Sequence, residues 1–310
     1  MPAVAPLTNR SVDALVRPMK LSIVIATAGR RTLLLDMLAH LERQRRLPDE
    51  VIVSAPDETH VEPFVTPRFL TTYLFGHRGS CAQRNHALTH ALDRADIITF
   101  FDDDFLPADD YLQTLAAAFA SLPDCAVISG NVVVDGVGGP GLSFADGLAA
   151  LRAAEADRGT TIHIADHIGA YGCNMSVRAE HVGTLRFDER LVLYGWQEDI
   201  DFTSQLRGHG RIVSLSSLIG VHLGAKSGRS SGTRLGYSQV MNPVYLMKKG
   251  TMPASFGVKL VGRNVAANLT KSLWPEPYID RRGRLKGNLI AAYHLIKGRV
   301  EPEYILQLPA

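Results

Sequence analysis

The sequence predicts an α/β fold: a mixed, mostly parallel sheet flanked by helices, followed by a helical C-terminal extension. Three observations predict it. Leu21–Thr27 (LSIVIAT) is an unbroken apolar, β-branched run, as expected of a strand covered on both faces. Strand-like and helix-like segments then alternate to about residue 134, which implies parallel pairing with right-handed crossovers. From Met241 onward the pattern is helical and the charge turns basic, with 11 Lys+Arg against 4 Asp+Glu, where the preceding residues carry 22 against 27.

Each element has its own signal. Arg30–Arg46 places Leu33, Leu34, Met37, Leu38 and Leu41 at helical spacing, and Pro48-Asp49 ends it. Glu50–Ser54 is a second strand and Phe69–Phe75 a third, more exposed one. Gly79–Arg94 is a helix with Ala82, Ala87, Leu88 and Ala91 inward, and Asp96–Phe101 a fourth strand. A helix over 108–121, opened by Asp109 and Asp110, and a strand over 126–134 complete the first half. The second half is less regular. Gly136–Gly141 reads as a turn, Ile168–Val177 as a strand, and Gln197–Arg207 as a helix closed by Gly208. Arg211–Ser214 and Leu218–Leu223 are late strands, and after Met241 the helical pattern is broken at Pro243, Pro253, Pro275 and Pro277.

These signals divide the chain into a tail (1–20), an α/β domain (21–240, in halves 21–134 and 135–240) and a basic helical extension (241–310). The 310 residues are 46% hydrophobic and 21% charged with a net charge of +2, an ordinary globular balance without a nucleic-acid signature. Three cysteines, Cys81, Cys125 and Cys173, have no CxxC spacing, so neither a disulfide framework nor a zinc knuckle is expected, and a reducing, cytoplasmic setting fits. The segment 1–20 lacks the apolar core of a signal peptide, and the least polar stretch, Phe256–Leu269, contains Lys259 and Arg263, too polar for a membrane span.

Two acidic clusters carry the chemistry. Asp102-Asp103-Asp104 follows an apolar strand directly, at the end of a sheet where ligands of open α/β folds bind. Carboxylates gathered there repel one another unless a cation compensates, and Mg²⁺ or Mn²⁺ on oxygen ligands commonly bridges to phosphates. A solvated acidic turn is the alternative. The second cluster, Glu198-Asp199-Ile200-Asp201 after Tyr194-Gly195-Trp196-Gln197, opens a helix. Acidic residues favour helix N-termini through the dipole alone, but a carboxylate here can also serve as a general base, with Trp196 stacking on a sugar ring or simply filling core.

Together with two further signals, these clusters make the sequence resemble family 2 glycosyltransferases of the GT-A (Rossmann-like) fold. The resemblance runs from Leu21 to Leu223. It rests on the first strand with Ala28-Gly29-Arg30, on Arg78-Gly79-Ser80-Cys81-Ala82-Gln83-Arg84-Asn85, on Phe101-Asp102-Asp103-Asp104 as a DxD element, and on Gly195-Trp196-Gln197-Glu198-Asp199 as an "ED" motif. Carried over, it implies that Thr27, Arg30, Arg84, Asp102 and Asp103 lie on the donor side, that Asp104 binds the metal, and that Asp199 is the base. His222, after a late strand, would be a third metal ligand, and the Gly- and Ser-rich loop behind it would bring Lys226 and Arg229 to the diphosphate. Gly172-Cys173-Asn174-Met175-Ser176-Val177-Arg178 is similar to the strand that lines the acceptor side, which implies Asn174 there beside Trp196 and Glu198. One departure stands out. Where relatives carry an acidic nucleoside-binding element after the second strand, this chain reads Ser54-Ala55-Pro56-Asp57-Glu58, leaving Asp57 to take that role from a shifted position.

What the resemblance implies is an inverting, Mn²⁺- or Mg²⁺-dependent transfer of a sugar from a UDP-, dTDP- or GDP-sugar to a hydroxyl of a glycan or lipid-linked acceptor, of the kind used in bacterial exopolysaccharide, O-antigen or cell-wall synthesis. The basic extension, including Asp280-Arg281-Arg282-Gly283-Arg284-Leu285-Lys286-Gly287 and the segment Leu289–Val300, would suit an anionic membrane surface at the inner face of the plasma membrane, or would pack on the domain with its charges in water. Two rivals remain: a nucleotidyltransferase, for which Ala28-Gly29-Arg30-Arg31 is a poor phosphate loop, and a non-catalytic binder of sugar nucleotides or glycans.

Overall fold

The structure, a computed structural model, describes residues 18–66, 68–159, 161–226 and 231–309. In chain order its elements are β1 (Leu21–Ala26), α1 (Arg31–Leu41), β2 (Glu50–Ala55), β3 (Leu70–Phe75), α2 (Ser80–Ala91) and β4 (Ile97–Asp102). There follow β5 (Phe105–Pro107), α3 (Tyr111–Ser121), β6 (Cys125–Asp135), α4 (Phe144–Ala156), β7 (Ile164–Asp166), β8 (Asn174–Arg178) and α5 (Ala179–Val182). α6 (Glu198–Gln205), β9 (Arg211–His222), α7 (Gly232–Lys249), α8 (Ala254–Lys271) and α9 (Arg281–Ile296) complete the set.

The strands form one mixed sheet in the order β3-β2-β1-β4-β8-β6-β9-β5, with β7 on β9. The β1 to β4 half is parallel, as the α/β alternation requires, whereas β8 runs antiparallel between β4 and β6. Side chains alternate across β1: Ile23 and Ile25 face α1 and α3, where Leu34, Met37, Leu38, Leu115 and Phe119 are buried. Val24, with Ile52, Ile98 and Phe100, faces α2 and α6 through Ala87, Leu88 and Phe202. Two buried layers on one sheet explain why the first strand is apolar on both faces apart from the buried Ser22.

The extension is built on α7, which spans the 240/241 boundary expected from composition and carries Pro243 in its interior. Pro243 is buried, and the helix continues through it to Gly250, whose φ of 88° gives a left-handed C-terminal cap. α9 lies directly on α7. A Cβ at Gly236 would stand 2.0 Å from the Arg284 carbonyl oxygen, and one at Gly287 2.1 Å from that of Thr233, so the backbones touch where side chains normally separate helices. No helix of the described residues is long and apolar enough to cross a membrane.

The short β5, β7 and α5 had no sequence counterpart, and three larger elements also differ from expectation. α4 had no sequence counterpart. It is capped by Ser143, which accepts from the Asp146 N–H, but it buries little beyond Gly147 and Leu151, so its apolar periodicity is thin. The strand expected over Ile168–Val177 is confined to Asn174–Arg178, because the Gly172 N–H donates to the Asp199 carboxylate at 2.8 Å rather than to a ladder. The two late strands are one, β9. It pairs Leu215 with Gly130 and then Ile219 with Asn131, so residues 216–218 form a bulge, which the Ser216 N–H ties to the His163 carbonyl at 3.0 Å.

Candidate active site

β4 ends at Asp102, a turn carries Asp103 and Asp104, and β5 returns along β9 with Phe105 opposite His222. A strand end, a turn and the last residue of an antiparallel neighbour thus converge. Asp102, Asp104 and His222 each offer a ligand atom within 4.8 Å of the others. His222 Nε2 lies 3.2 Å from Asp104 Oδ1 and 3.8 Å from Asp102 Oδ2. Its other nitrogen, Nδ1, is held by Asp135 Oδ1 at 3.1 Å and the Tyr171 hydroxyl at 3.2 Å, and that hydroxyl donates to Asp135 Oδ2 at 3.0 Å. This fixes the ring with Nε2 toward the carboxylates, an arrangement common to metal-binding histidines. Two carboxylate oxygens and one imidazole nitrogen suit a hard or borderline divalent ion such as Mn²⁺ or Mg²⁺.

The electrostatics answer to the same geometry. Burial disfavours a charged His222, yet the carboxylates on its two nitrogens outweigh it and raise the ring to about 10. Burial also opposes ionisation of Asp104, but His222, Arg30 and the Ala225 N–H (2.8 Å) hold its carboxyl at about 2. Asp103 is not a free middle residue. It is buried, accepts from the Thr27 hydroxyl at 2.6 Å and from Arg30 at 2.7 Å, and burial pushes it to about 6 against the pull of Arg30. Arg30 therefore spans Asp103 and, at 3.7 Å, Asp104.

Arg84 joins the two acidic clusters. Almost fully buried on α2, it donates to Asp102 at 2.9 Å, to the Gly172 carbonyl at 3.0 Å, and to Glu198 at the start of α6. Burial lifts Glu198 to about 8, opposed by Arg84. Asp199 beside it accepts from the Ile200 N–H and the Gly172 N–H, both at 2.8 Å, and burial raises its carboxyl above the ordinary value. A Cβ on Gly172 would lie 3.1 Å from Asp199 Oδ2, so the glycine permits that approach. The turn before α6 is strained: Leu193 has φ 60° and Gln197 φ 75°.

Above these groups opens a cavity of about 360 Å³. Thr27, Arg30, Arg84, Asp102 and Asp103 all line it. Sequence reasoning missed Arg78, Gln83, Tyr194 and Arg234, which line it too. Arg78 and Gln83 stood inside a quoted motif without a role of their own, whereas Arg234 had no signal: it reaches the cavity from α7 and is fastened by Nε and Nη2 to the Leu308 carbonyl at 3.0 and 2.9 Å. Asp135 and Tyr171, the partners of His222, were also unannounced.

Other expected residues sit elsewhere. Asp57 caps a single turn at 58–60 by accepting from the Thr59 N–H, and it does not line the cavity. Lys226 folds back onto the Gly136 and Val137 carbonyls at 3.3 and 2.9 Å. Arg229 lies outside the described residues. Trp196 packs against the layer beneath α2 and α6, its carbonyl accepting from Asn242 at 2.8 Å. Asn174 is fully buried at the start of β8, and its amide has no hydrogen-bond partner among the described residues.

Residues 22–145 match the family model described as Glycosyl transferase family 2. No curated protein matches the chain. The crystal structure of S. aureus TarS aligns over 72% of this chain and 40% of its own, at 17% identity and a TM-score of 0.48, so this chain spans less than half of that one. S. aureus TarS 1–349 aligns over 94% and 83%, at 15% identity and a TM-score of 0.55. The same fragment in complex with UDP-GlcNAc aligns over 94% and 84%, again at 15% and 0.55. At these identities the likeness is one of fold.

Proposed function

From the premise that this chain is a glycosyltransferase of family 2 with a GT-A-like fold, its family sequence lying over residues 22–145, we propose that it transfers a sugar from a nucleoside diphosphate-sugar to an acceptor hydroxyl, with inversion. One observation carries this reading: two acidic clusters remote in sequence are joined by Arg84, which lines the cavity beside Asp102 and bridges Asp102 to Glu198 behind it. A binding protein has no need of a half-buried carboxylate such as Asp199, oriented by two backbone N–H groups beside a metal-type triad.

In this reading Asp102, Asp104 and His222 hold a divalent ion, Mn²⁺ or Mg²⁺. Such an ion supplies Lewis-acid stabilisation of charge on a diphosphate leaving group. Arg78 and Arg234, which both line the cavity, offer the nucleotide cationic contacts that Arg30 and Arg84, already engaged with carboxylates, do not. Thr27 and Arg30 keep Asp103 ordered under the donor. Asp199 accepts the acceptor's proton as its oxygen attacks the anomeric carbon, and the two N–H groups on Asp199 fix the direction of its oxygens. The acceptor is a hydroxyl of a glycan or lipid-linked oligosaccharide, with Asn174, Trp196 and Glu198 on its side. Lys226, close behind His222, reaches the diphosphate on leaving the Gly136 and Val137 carbonyls.

The test is thermal denaturation with UDP, GDP, dTDP and CMP, each with and without Mn²⁺. A midpoint rise for one diphosphate that requires metal and disappears in Asp104→Ala supports the reading. No rise with any diphosphate refutes it.

A further inference from the structure

We infer that the outer faces of α8 and α9 form a docking surface for an anionic bilayer. The two helices expose cations and large apolar side chains together and carry no acid at all. Residues 254–275 and 281–300 contain no Asp or Glu, although the whole chain has 31. On α8, Val258 and Leu269 are exposed on one stripe, since eleven residues return to nearly the same azimuth, and Leu273 and Trp274 follow just beyond the helix at 65% and 82% exposure. On α9, Leu289, Tyr293 and Ile296 form a matching stripe, Ile296 at 82% exposure, with exposed Arg282, Lys286 and Lys297 among them. Lys259 and Arg263 play that part on α8.

The composition selects the occupant. A second copy of the chain, docked about a two-fold axis, would set this acid-free face against itself and bring like charges together. A bilayer accepts both components at once: aliphatic and aromatic side chains enter the headgroup boundary while Lys and Arg meet anionic phosphates, and Trp and Tyr favour that boundary. Each cation near such a surface adds to binding and the attraction is screened by salt. Without a spanning helix among the described residues, the contact is peripheral. It is also directional, because α9 is locked by backbone contact to α7, whose Arg234 lines the cavity. The inference stands without the transferase reading.

The experiment is co-sedimentation of the full chain with vesicles of equal parts phosphatidylglycerol and phosphatidylcholine, against phosphatidylcholine alone, at low salt and at about 0.5 M salt. Binding should appear on the anionic vesicles only and fall with salt. It should drop at least about tenfold, or about 1.4 kcal/mol, both in Trp274→Ser/Ile296→Ser and in Lys286→Glu/Lys297→Glu, since each pair removes surface attraction. These side chains lie outside the cavity, so a nucleotide-dependent thermal shift should be the same in all variants, which separates this result from a failure of the transferase reading. No binding to anionic vesicles at low salt overturns the inference, as does binding that the apolar pair leaves unchanged. A dimer in sedimentation velocity that Trp274→Ser/Ile296→Ser makes monomeric assigns the face to a second copy and overturns it too.

Discussion

Replacing glycine by alanine inside a helix normally stabilises it by about 1 kcal/mol, because glycine loses more backbone freedom on folding. Two glycines of the extension should answer this substitution with opposite signs. At Gly262, in the exposed middle of α8, a Cβ meets nothing within 4 Å, so Gly262→Ala should gain about 0.5–1 kcal/mol. At Gly236 a Cβ would stand 2.0 Å from the Arg284 carbonyl oxygen and 2.6 Å from its carbonyl and α carbons. Ordinary contact begins at 3.4 Å, so α9 would have to withdraw by 3.4 minus 2.0, or 1.4 Å, and what blocks it is backbone, which has no rotamer to yield. Overpacking of well-packed interiors typically costs about 1–3 kcal/mol and more when backbone must move. Set against the propensity gain, Gly236→Ala should lose about 2 kcal/mol or more. Urea unfolding of both variants gives the comparison directly, provided the slopes match wild type. Because Arg234 stands two residues before Gly236, only Gly236→Ala should also weaken nucleotide binding. If Gly236→Ala is neutral or stabilising, the backbone contact between α7 and α9 is not what holds α9 on α7.

Three further outcomes are expected. Arg84→Met leaves Glu198 and Asp102 facing each other without their guanidinium and should destabilise by about 3–5 kcal/mol at alkaline pH, much less in combination with Glu198→Gln. Because the Glu198 carboxyl is raised in the fold, from 4.5 to about 8, the stability linked to its protonated form is full below 4.5 and is lost as pH rises through about 8. The deficit of Arg84→Met should be level below about 8, where Glu198 is protonated with or without its guanidinium, and grow with pH above it in urea melts; a deficit that stays level above about 8 would contradict the pairing. Asp199→Asn should lower kcat by about 10²–10⁴ with little change in KM, read beside its melting temperature because an amide puts a donor against one of two N–H groups. In the parent enzyme the acidic limb of the kcat–pH profile should lie above the usual carboxylate range, as burial of Asp199 requires. Asp135→Asn disturbs the orientation of His222 and should weaken Mn²⁺ binding about 10–100-fold in a direct titration, with the fold intact.

Much of the parallel half was readable because its constraints are local. Leu21–Ala26 must be apolar on both faces, and Asp102–Asp104 breaks that rule where the strand leaves the core. The C-terminal half obeys longer-range constraints. Pro243 signals a break in sequence, yet buried packing around it carries α7 through. α4 went unseen because it turns most of its surface to solvent. Within the site, Arg84, Asp102 and Glu198 each had a local signature and were assigned separate tasks. Their ion pairs join residues up to 114 apart, and no periodicity announces those. Arg234, Asp135 and Tyr171 were invisible for the same reason, since only the fold brings them to the cavity and to His222.

The bulge at 216–218 gives the site a dependence on count rather than identity. Across it, β9 advances from Leu215 to Ile219 while β6 advances only from Gly130 to Asn131, which resets the phase of every side chain that follows. A second shift follows, in which β6 advances from Val132 to Val134 while β9 advances only from Gly220 to Val221, and the two together set the face that His222 turns to Asp102 and Asp104. In a strand a shift of one residue turns each side chain to the opposite face. Ser216 and Ser217, half-buried, are therefore open to substitution in a way the number of bulge residues is not, whereas Leu218 is held in the core. A single-residue deletion there that slipped β9 by one residue against β5 would break the pairing of His222 with Phe105 and turn the imidazole away from the carboxylates.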